Sequence, residues 1–272
     1  MNSILLHLLA ASGYAVIAAY LWKTLPQQDT PRAMGRARIA HALLAFPLLI
    51  HATVLTQSML RPDGLYLGVG NAISIIIALA VLSYWLGSFF HRLEALHVLV
   101  LPAAAFFSLL PLVFPPVHPL ANTHLPGFRV HLLLSLLAYS FFTIASLHVL
   151  LMALVERRLH AGNMPAFLQA LPPLLTMETL LFRIIATGFV LLTLTLGSGI
   201  VFSEQLFGKP LTFTHKTVFG ILSWLIFGSL LAGRAFYGWR GRVAVRWTLA
   251  GFLSLVLAYI GSKFVLEVIL HR

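Results

Sequence analysis

His131-Leu-Leu-Leu-Ser-Leu-Leu-Ala-Tyr139 sets a titratable imidazole at the mouth of an otherwise lipid-compatible helix. Leucine and alanine carry the stretch, and only Ser135 and the Tyr139 hydroxyl interrupt it. An ionisable side chain at membrane depth is a functional candidate by default, because charge is costly there. Followed outward, the apolar run covers residues 129–154. A helix needs about 20 residues to cross a hydrocarbon core of roughly 30 Å.

Seven further runs of this kind lie near residues 3–22, 37–57, 66–87, 95–114, 180–202, 215–233 and 246–269. The 272 residues are 60% hydrophobic and 9% charged, and the mean hydropathy of +0.94 lies outside the range of a water-soluble domain. The sequence therefore predicts an all-α, polytopic membrane helix bundle of about eight transmembrane helices. The first run has no basic leader or small-residue cleavage site and is longer than a signal-peptide core, so it reads as retained. No loop is long enough to fold separately, which makes 1–272 a single integral membrane domain.

Of the eighteen lysines and arginines, twelve gather on the side of the 23–36, 88–94, 155–179 and 234–245 connections. The positive-inside bias puts that side in the cytoplasm and both termini outside. A pI near 10.7 then reflects basic loops facing the lipid bilayer, with no nucleic acid implied. The chain has no cysteine, which excludes disulfides, thiol redox chemistry, Cys-based zinc sites and covalent haem attachment. Asp29, Asp63, Glu156 and Glu204 fall in loops or at helix ends and read as solvated, while Glu94 and Glu178 flank helix starts on the basic side.

Two connections carry local signals. Residues 111–127 hold five prolines and read as stiff, non-helical backbone over the ends of the fourth and fifth runs. Pro172-Pro173-Leu-Leu-Thr-Met-Glu178 reads as a short interfacial helix leading into the sixth run. Small residues align on single faces: Ser135, Ala138 and Ala145; Gly188, Thr195 and Gly199; Gly251, Ser254, Ala258 and Gly261. They allow helices to approach closely.

Of the twelve histidines, His41, His91, His97, His148 and His160 fall on the basic side. The others, His7, His51, His118, His124, His131, His215 and His271, fall on the opposite side. In this second set His131 opens the fifth run, His215 opens the seventh, His271 closes the eighth, and His51 sits inside Phe46-Pro-Leu-Leu-Ile-His-Ala-Thr-Val-Leu55. Neutral imidazole is a common metal ligand, and two from different helices hold a haem iron from both faces. The competing reading for each is interfacial packing with a wet ring edge. His118 and His124, in the proline-rich loop, read as solvated, whereas His51 must find a polar partner or a ligand. Lys263, Glu267 and His271 share one helical face, as a salt bridge or with Glu267 orienting the His271 ring.

Several stretches together resemble the cytochrome c assembly membrane-protein family. They are His131-x3-Ser135-x2-Ala138-Tyr139, Leu192-Thr-Leu-Thr-Leu-Gly-Ser-Gly199, Lys216-Thr217-x6-Trp224-Leu-Ile-Phe227, and Gly238-Trp-Arg-Gly241 ahead of Gly251-Phe252 and Ala258-Tyr-Ile-Gly261. The likeness covers roughly residues 40–272. It is nearer to the HemX/YpjD-type branch than to the CcsA or CcmC haem-handling proteins. The resemblance implies a bacterial inner-membrane protein that binds haem b between histidines at the outer face and passes it to apocytochrome c or to other assembly proteins. By position, His131 resembles the first external haem ligand, His271 the second and His51 an intramembrane ligand. Where the family's haem lyases carry a Trp-rich motif, this chain reads Lys209-Pro-Leu-Thr-Phe-Thr-His-Lys-Thr217, and the second intramembrane histidine position reads Ala232. This departure argues against haem-lyase activity and leaves His215 as an improvised ligand or a surface residue.

The expectation is thus a haem-handling protein with His51, His131, His215 and His271 as cofactor-binding candidates, of which His51, His131 and His271 are candidate axial iron ligands. A haem-free regulatory or scaffolding protein of the HemX type is the second reading. A secondary transporter is the third: Pro47, Pro102 and Gly70-Asn71 could break helices as transporters require, but no internal repeat accompanies them.

Overall fold

Without water to bond to, every backbone N–H and C=O in hydrocarbon must be satisfied within its own segment, so the apolar runs become helices. The computed structural model describes residues 3–24, 35, 39–89, 93–115, 118–120, 123–201, 214–265 and 269. Among the described residues eight helices are long and apolar enough to cross a membrane: α1 (Ser3–Thr24), α2 (Ile39–Met59), α3 (Val69–Gly87), α4 (Leu96–Val113), α5 (Pro126–His160), α6 (Leu174–Val201), α7 (His215–Tyr237) and α8 (Arg242–Phe264). The protein is an all-α multi-pass membrane bundle. Odd-numbered helices begin at the end of the bundle that carries His131, here the His131 end, and even-numbered ones begin at the opposite, Arg-rich end.

The long helices outrun their predicted cores. The 35 residues of α5 span about 52 Å at 1.5 Å per residue, so its last turns, with Arg157 and Arg158, project beyond the apolar zone. The separate helix expected over Pro172–Glu178 is instead the start of α6, where Pro173 accepts from the Thr176 and Met177 amides. Proline belongs at a helix start, where its missing N–H costs no bond. For the same reason Pro126 begins α5 and Pro111 sits in the first turn of Leu110–Val113, so the 111–127 connection is helical at both edges. Its middle lies against a small antiparallel hairpin, β1 (Leu60–Arg61) and β2 (Gly64–Leu65), through Leu120 N–H donating to Leu65 O at 2.7 Å. In that hairpin the Tyr66 hydroxyl donates to Asp63 and holds the carboxyl below its usual range.

The suspected helix breakers act differently from one another. Pro47 interrupts α2 at Leu44, and the ring of Pro47 seats on Gly13 of α1, where a Cβ would come within 2.8 Å of it. Gly70-Asn71 breaks nothing, since α3 runs without interruption from Val69 to Gly87. In α5–α8 the rings of Phe142 and Phe227 stack with centroids 3.8 Å apart, in space left by Gly188 and Gly251. Ser223 donates to Gly251 O at 2.9 Å and joins α7 to α8.

At the Arg-rich end, Gly238-Trp-Arg-Gly241 turns the chain tightly through two left-handed glycines, Gly238 at φ 67° and Gly241 at φ 56°. The turn folds Trp239 back over Gly233, whose carbonyl accepts from the Trp239 amide at 3.1 Å. Beside it Arg234 donates to Glu178 at 2.6 Å and lies 4.8 Å from the Phe182 ring centroid. Glu178 is buried in the first turns of α6. Arg234→Ala strands that carboxylate. Because Arg234 is itself partly exposed, we expect a loss of about 2 kcal/mol of stability, less than for a fully buried pair. Thermal unfolding in detergent should show a much smaller effect when the substitution is made in a Glu178→Gln background.

Candidate functional site

The small residues predicted to line helix faces leave a cavity of about 540 Å³ between α3, α5, α6, α7 and α8 at the His131 end. That volume is in the range of small-molecule and cofactor sites. Its walls are mostly apolar, with Leu136, Leu192, Leu196 and Ile221 among them, and Ser135, Ala138, Gly199 and Gly220 keep the interior open. His131 faces in from the second turn of α5, and Lys216 and Lys263 line the wall from α7 and α8.

Second contacts fix the orientation of His131. Its Nδ1 shares a hydrogen bond of 2.9 Å with Ser198 Oγ, and Ser198 in turn donates to Thr195 O. The ring edge packs beside Gly199, where a Cβ would make an ordinary van der Waals contact of 3.4 Å with Cε1. The Leu192–Gly199 run is therefore the seat of this imidazole. Across the cavity, α8 opens into a π-helical turn at Leu257–Gly261, a feature common at functional sites. Tyr139 pins that region by donating to Leu255 O at 2.5 Å.

His51 lies elsewhere. It is fully buried, with Nδ1 3.3 Å from the Tyr14 hydroxyl and Nε2 2.8 Å from Ser74 Oγ. Ser74 and the cavity-lining Ile76 are two residues apart on α3, hence about 200° apart around it. Helix α3 thus stands between His51 and the cavity. His215 is exposed at the first residue of α7, and it is the adjacent Lys216 that lines the cavity. His271 and Glu267 lie outside the described residues. Among the described lining residues His131 is the sole imidazole.

Three other buried or half-buried histidines received no role from the sequence. His7 Nδ1 is 2.8 Å from Ser108 O, His41 Nε2 is 2.6 Å from the Tyr84 hydroxyl, and His148 Nε2 is 2.9 Å from Met177 O. They fasten helix pairs by side-chain bonds that only the fold reveals. A larger groove of about 680 Å³ lies in the Arg-rich half between α3, α5 and α6. Its described lining residues include Arg183 and several hydroxyls but no histidine, so size alone does not mark the ligand-binding candidate.

The sequence pattern of the family described as Cytochrome C assembly protein matches residues 39–270. The chain belongs to that family. It is 33% identical to the Inner membrane protein YpjD of Escherichia coli (strain K12), an alignment that covers 96% of this chain and 98% of the relative. An Uncharacterized 28.8 kDa protein of Azospirillum brasilense is 31% identical, over 56% of this chain and 57% of its own. The Cytochrome c biogenesis protein CcsA of Prochlorococcus marinus (strain AS9601) is 36% identical over 88 residues, 32% of this chain and 28% of the relative. No solved structure matches the chain significantly. For this member of the cytochrome c assembly family, haem is the cofactor against which the cavity must be tested. A neutral imidazole held from behind, apolar walls and basic side chains fit an iron porphyrin with carboxylate arms.

Proposed function

We propose that the protein binds haem b in the α5–α8 cavity and acts in haem transfer or cytochrome c assembly at the outer face of a bacterial inner membrane. The observation that carries this reading is the placement of His131, backed by Ser198, in an apolar cavity that also presents Lys216 and Lys263. His131 would coordinate the iron, and His271 is its proposed counterpart by the family resemblance. Haem would supply the transferable iron porphyrin itself. The protein's own residues would orient it and exclude water, and among the described lining residues there is no carboxylate to pair with His131 for acid–base chemistry. The charge bias of the connections supports placing both termini, and so the His131 end, outside. Apocytochrome or another assembly protein would be the receiver. The Tyr14–His51–Ser74 bonds support a fastening role for His51 over an axial one.

The test is the visible spectrum of the detergent-purified full chain, oxidised and dithionite-reduced, before and after haem is added. A saturable Soret band with reduced α and β bands of a b-type haem is expected. A protein that stays colourless under excess haem overturns this reading in favour of a haem-free regulatory or scaffolding role.

A further inference from the structure

The groove in the Arg-rich half takes no part in the haem reading. Helices α3 and α6 both pack along α5, and the space of about 680 Å³ runs between them. On α6 its wall is one stripe, Thr176, Thr179, Leu180, Arg183, Ile184 and Thr187, spaced by the three- and four-residue steps that put side chains on a single helix face. The stripe extends about 16 Å along the helix. Phe141 and Ile144 of α5, Leu96 of α4 and the last turn of α3 contribute the other walls. Thr179, Arg183 and Thr187 are exposed on the outside of the bundle, so the open side of the groove faces lipid.

The polar groups of this lining are unequally engaged. Thr179 donates to Leu175 O at 2.9 Å and Thr187 to Arg183 O at 3.1 Å, both within α6, and the Tyr84 hydroxyl lies 2.6 Å from His41 Nε2. Hydroxyls bonded back to their own helix leave the threonine methyls for an apolar neighbour. The Arg183 guanidinium, by contrast, has no hydrogen-bond or ion-pair partner among the described residues, where the ion pair of this end joins Arg234 to Glu178. The described lining holds no Asp or Glu. Arg183 lies about 14 Å along α6 from its first residue, and a cation at such depth marks a partner or ligand by default.

An apolar trough with one cation on its lipid-facing rim matches an amphiphile with one anionic end. We infer that the groove binds an anionic phospholipid of the leaflet at the Arg-rich end, with its phosphate on Arg183 and an acyl chain along Leu180, Ile184, Phe141 and Ile144. Basic pockets between transmembrane helices on the cytoplasmic side take such headgroups, and the guanidinium fork suits phosphate oxygens. Bound there, the lipid spans from α3 to α6 and stabilises the folded state by mass action. An arginine that only snorkels to the interface would meet all headgroups alike, and filling the groove would change nothing.

The experiment titrates the full-length protein in detergent with dioleoyl phosphatidylglycerol and dioleoyl phosphatidylcholine, whose acyl chains are identical, and counts bound lipids by native mass spectrometry. Wild type should hold one phosphatidylglycerol in preference to phosphatidylcholine, and that lipid should raise the unfolding midpoint. Arg183→Gln should weaken phosphatidylglycerol about fivefold, leave phosphatidylcholine unchanged and abolish the difference in midpoint. Arg183→Lys should keep most of the preference. Thr179→Trp, which fills the groove from an exposed position and keeps the charge, should weaken both lipids. Arg158→Gln, a basic residue at the same end outside the groove, should change neither. An unchanged lipid ratio in Arg183→Gln, or an equal loss in Arg158→Gln, overturns the site in favour of diffuse charge at the membrane surface. Competition by glycerol phosphate would make it a free-phosphate site, and stoichiometric displacement of the lipid by haem would give the groove to a tetrapyrrole; either result defeats the inference and leaves the His131 cavity untouched.

Discussion

Replacing His131 with alanine should weaken haem binding by about two orders of magnitude or more and remove the spectrum of an imidazole-ligated iron from what binding is left. The expectation follows from the way the ring is held. Ser198 fixes Nδ1 at 2.9 Å, and coordination would go through Nε2. Partners that orient a metal-binding histidine contribute about 10–100-fold to affinity themselves. Ser198→Ala should therefore fall at the low end of that range, with the spectrum shifted less than its affinity, and His131→Ala should exceed it. His51→Ala is the informative contrast. It leaves Tyr14 and Ser74 with unmet hydrogen-bonding groups in a buried site, at a cost of about 1–3 kcal/mol for each group so stranded. The purified variant should show a lowered unfolding midpoint and an unaltered Soret band. If His51→Ala shifts the band and His131→Ala does not, the ligand assignment is reversed.

The eight spans were legible because composition and run length are enough to define a membrane helix, and the seat of each polar residue was not. His131 could be singled out from its position at the mouth of an apolar run. The Leu192–Gly199 run and the small-residue faces announced close packing, and they do provide the ring seat and the open cavity. Lys216 and Lys263 were invisible as lining of one cavity, because they come to it only when α7 and α8 fold against each other. Local sequence instead drew attention to His215 and to the face shared by Lys263, Glu267 and His271, of which Glu267 and His271 lie outside the described residues. Glu178 could be read only as flanking a helix start, because its partner Arg234 lies 56 residues further on and reaches it only when α6 and α7 pack together. His51 declared its need for a partner in sequence, but Tyr14 and Ser74 lie on two other helices. The π turn at Leu257–Gly261 leaves no signature in residue periodicity.

Glycine substitutions should separate close backbone approach from mere helix composition. A Cβ on Gly70 would lie 2.5 Å from Phe114 O and 2.8 Å from Leu110 O. Both obstacles are main-chain atoms at the end of α4, so no rotamer change relieves them, and α3 or the end of α4 must move. Overpacking of this kind costs about 1–3 kcal/mol, occasionally more. Gly70→Ala should lower the unfolding midpoint by several degrees, and Gly70→Val should reduce the yield of folded protein. A Cβ on Gly197 of α6 would meet nothing within 4 Å, and replacing an unconstrained helical glycine with alanine gains about 0.5–1 kcal/mol. Gly197→Ala should therefore raise the midpoint. The Gly70 contact also bears on the cavity. Phe114 is followed by the segment that pairs with the β hairpin and delivers Leu120 to the cavity wall. Displacing the end of α4 shifts that wall, so Gly70→Ala should weaken porphyrin binding several-fold while His131 and both lysines remain in place. Equal midpoints for the two alanine variants would mean that the α3–α4 contact is looser than the structure has it.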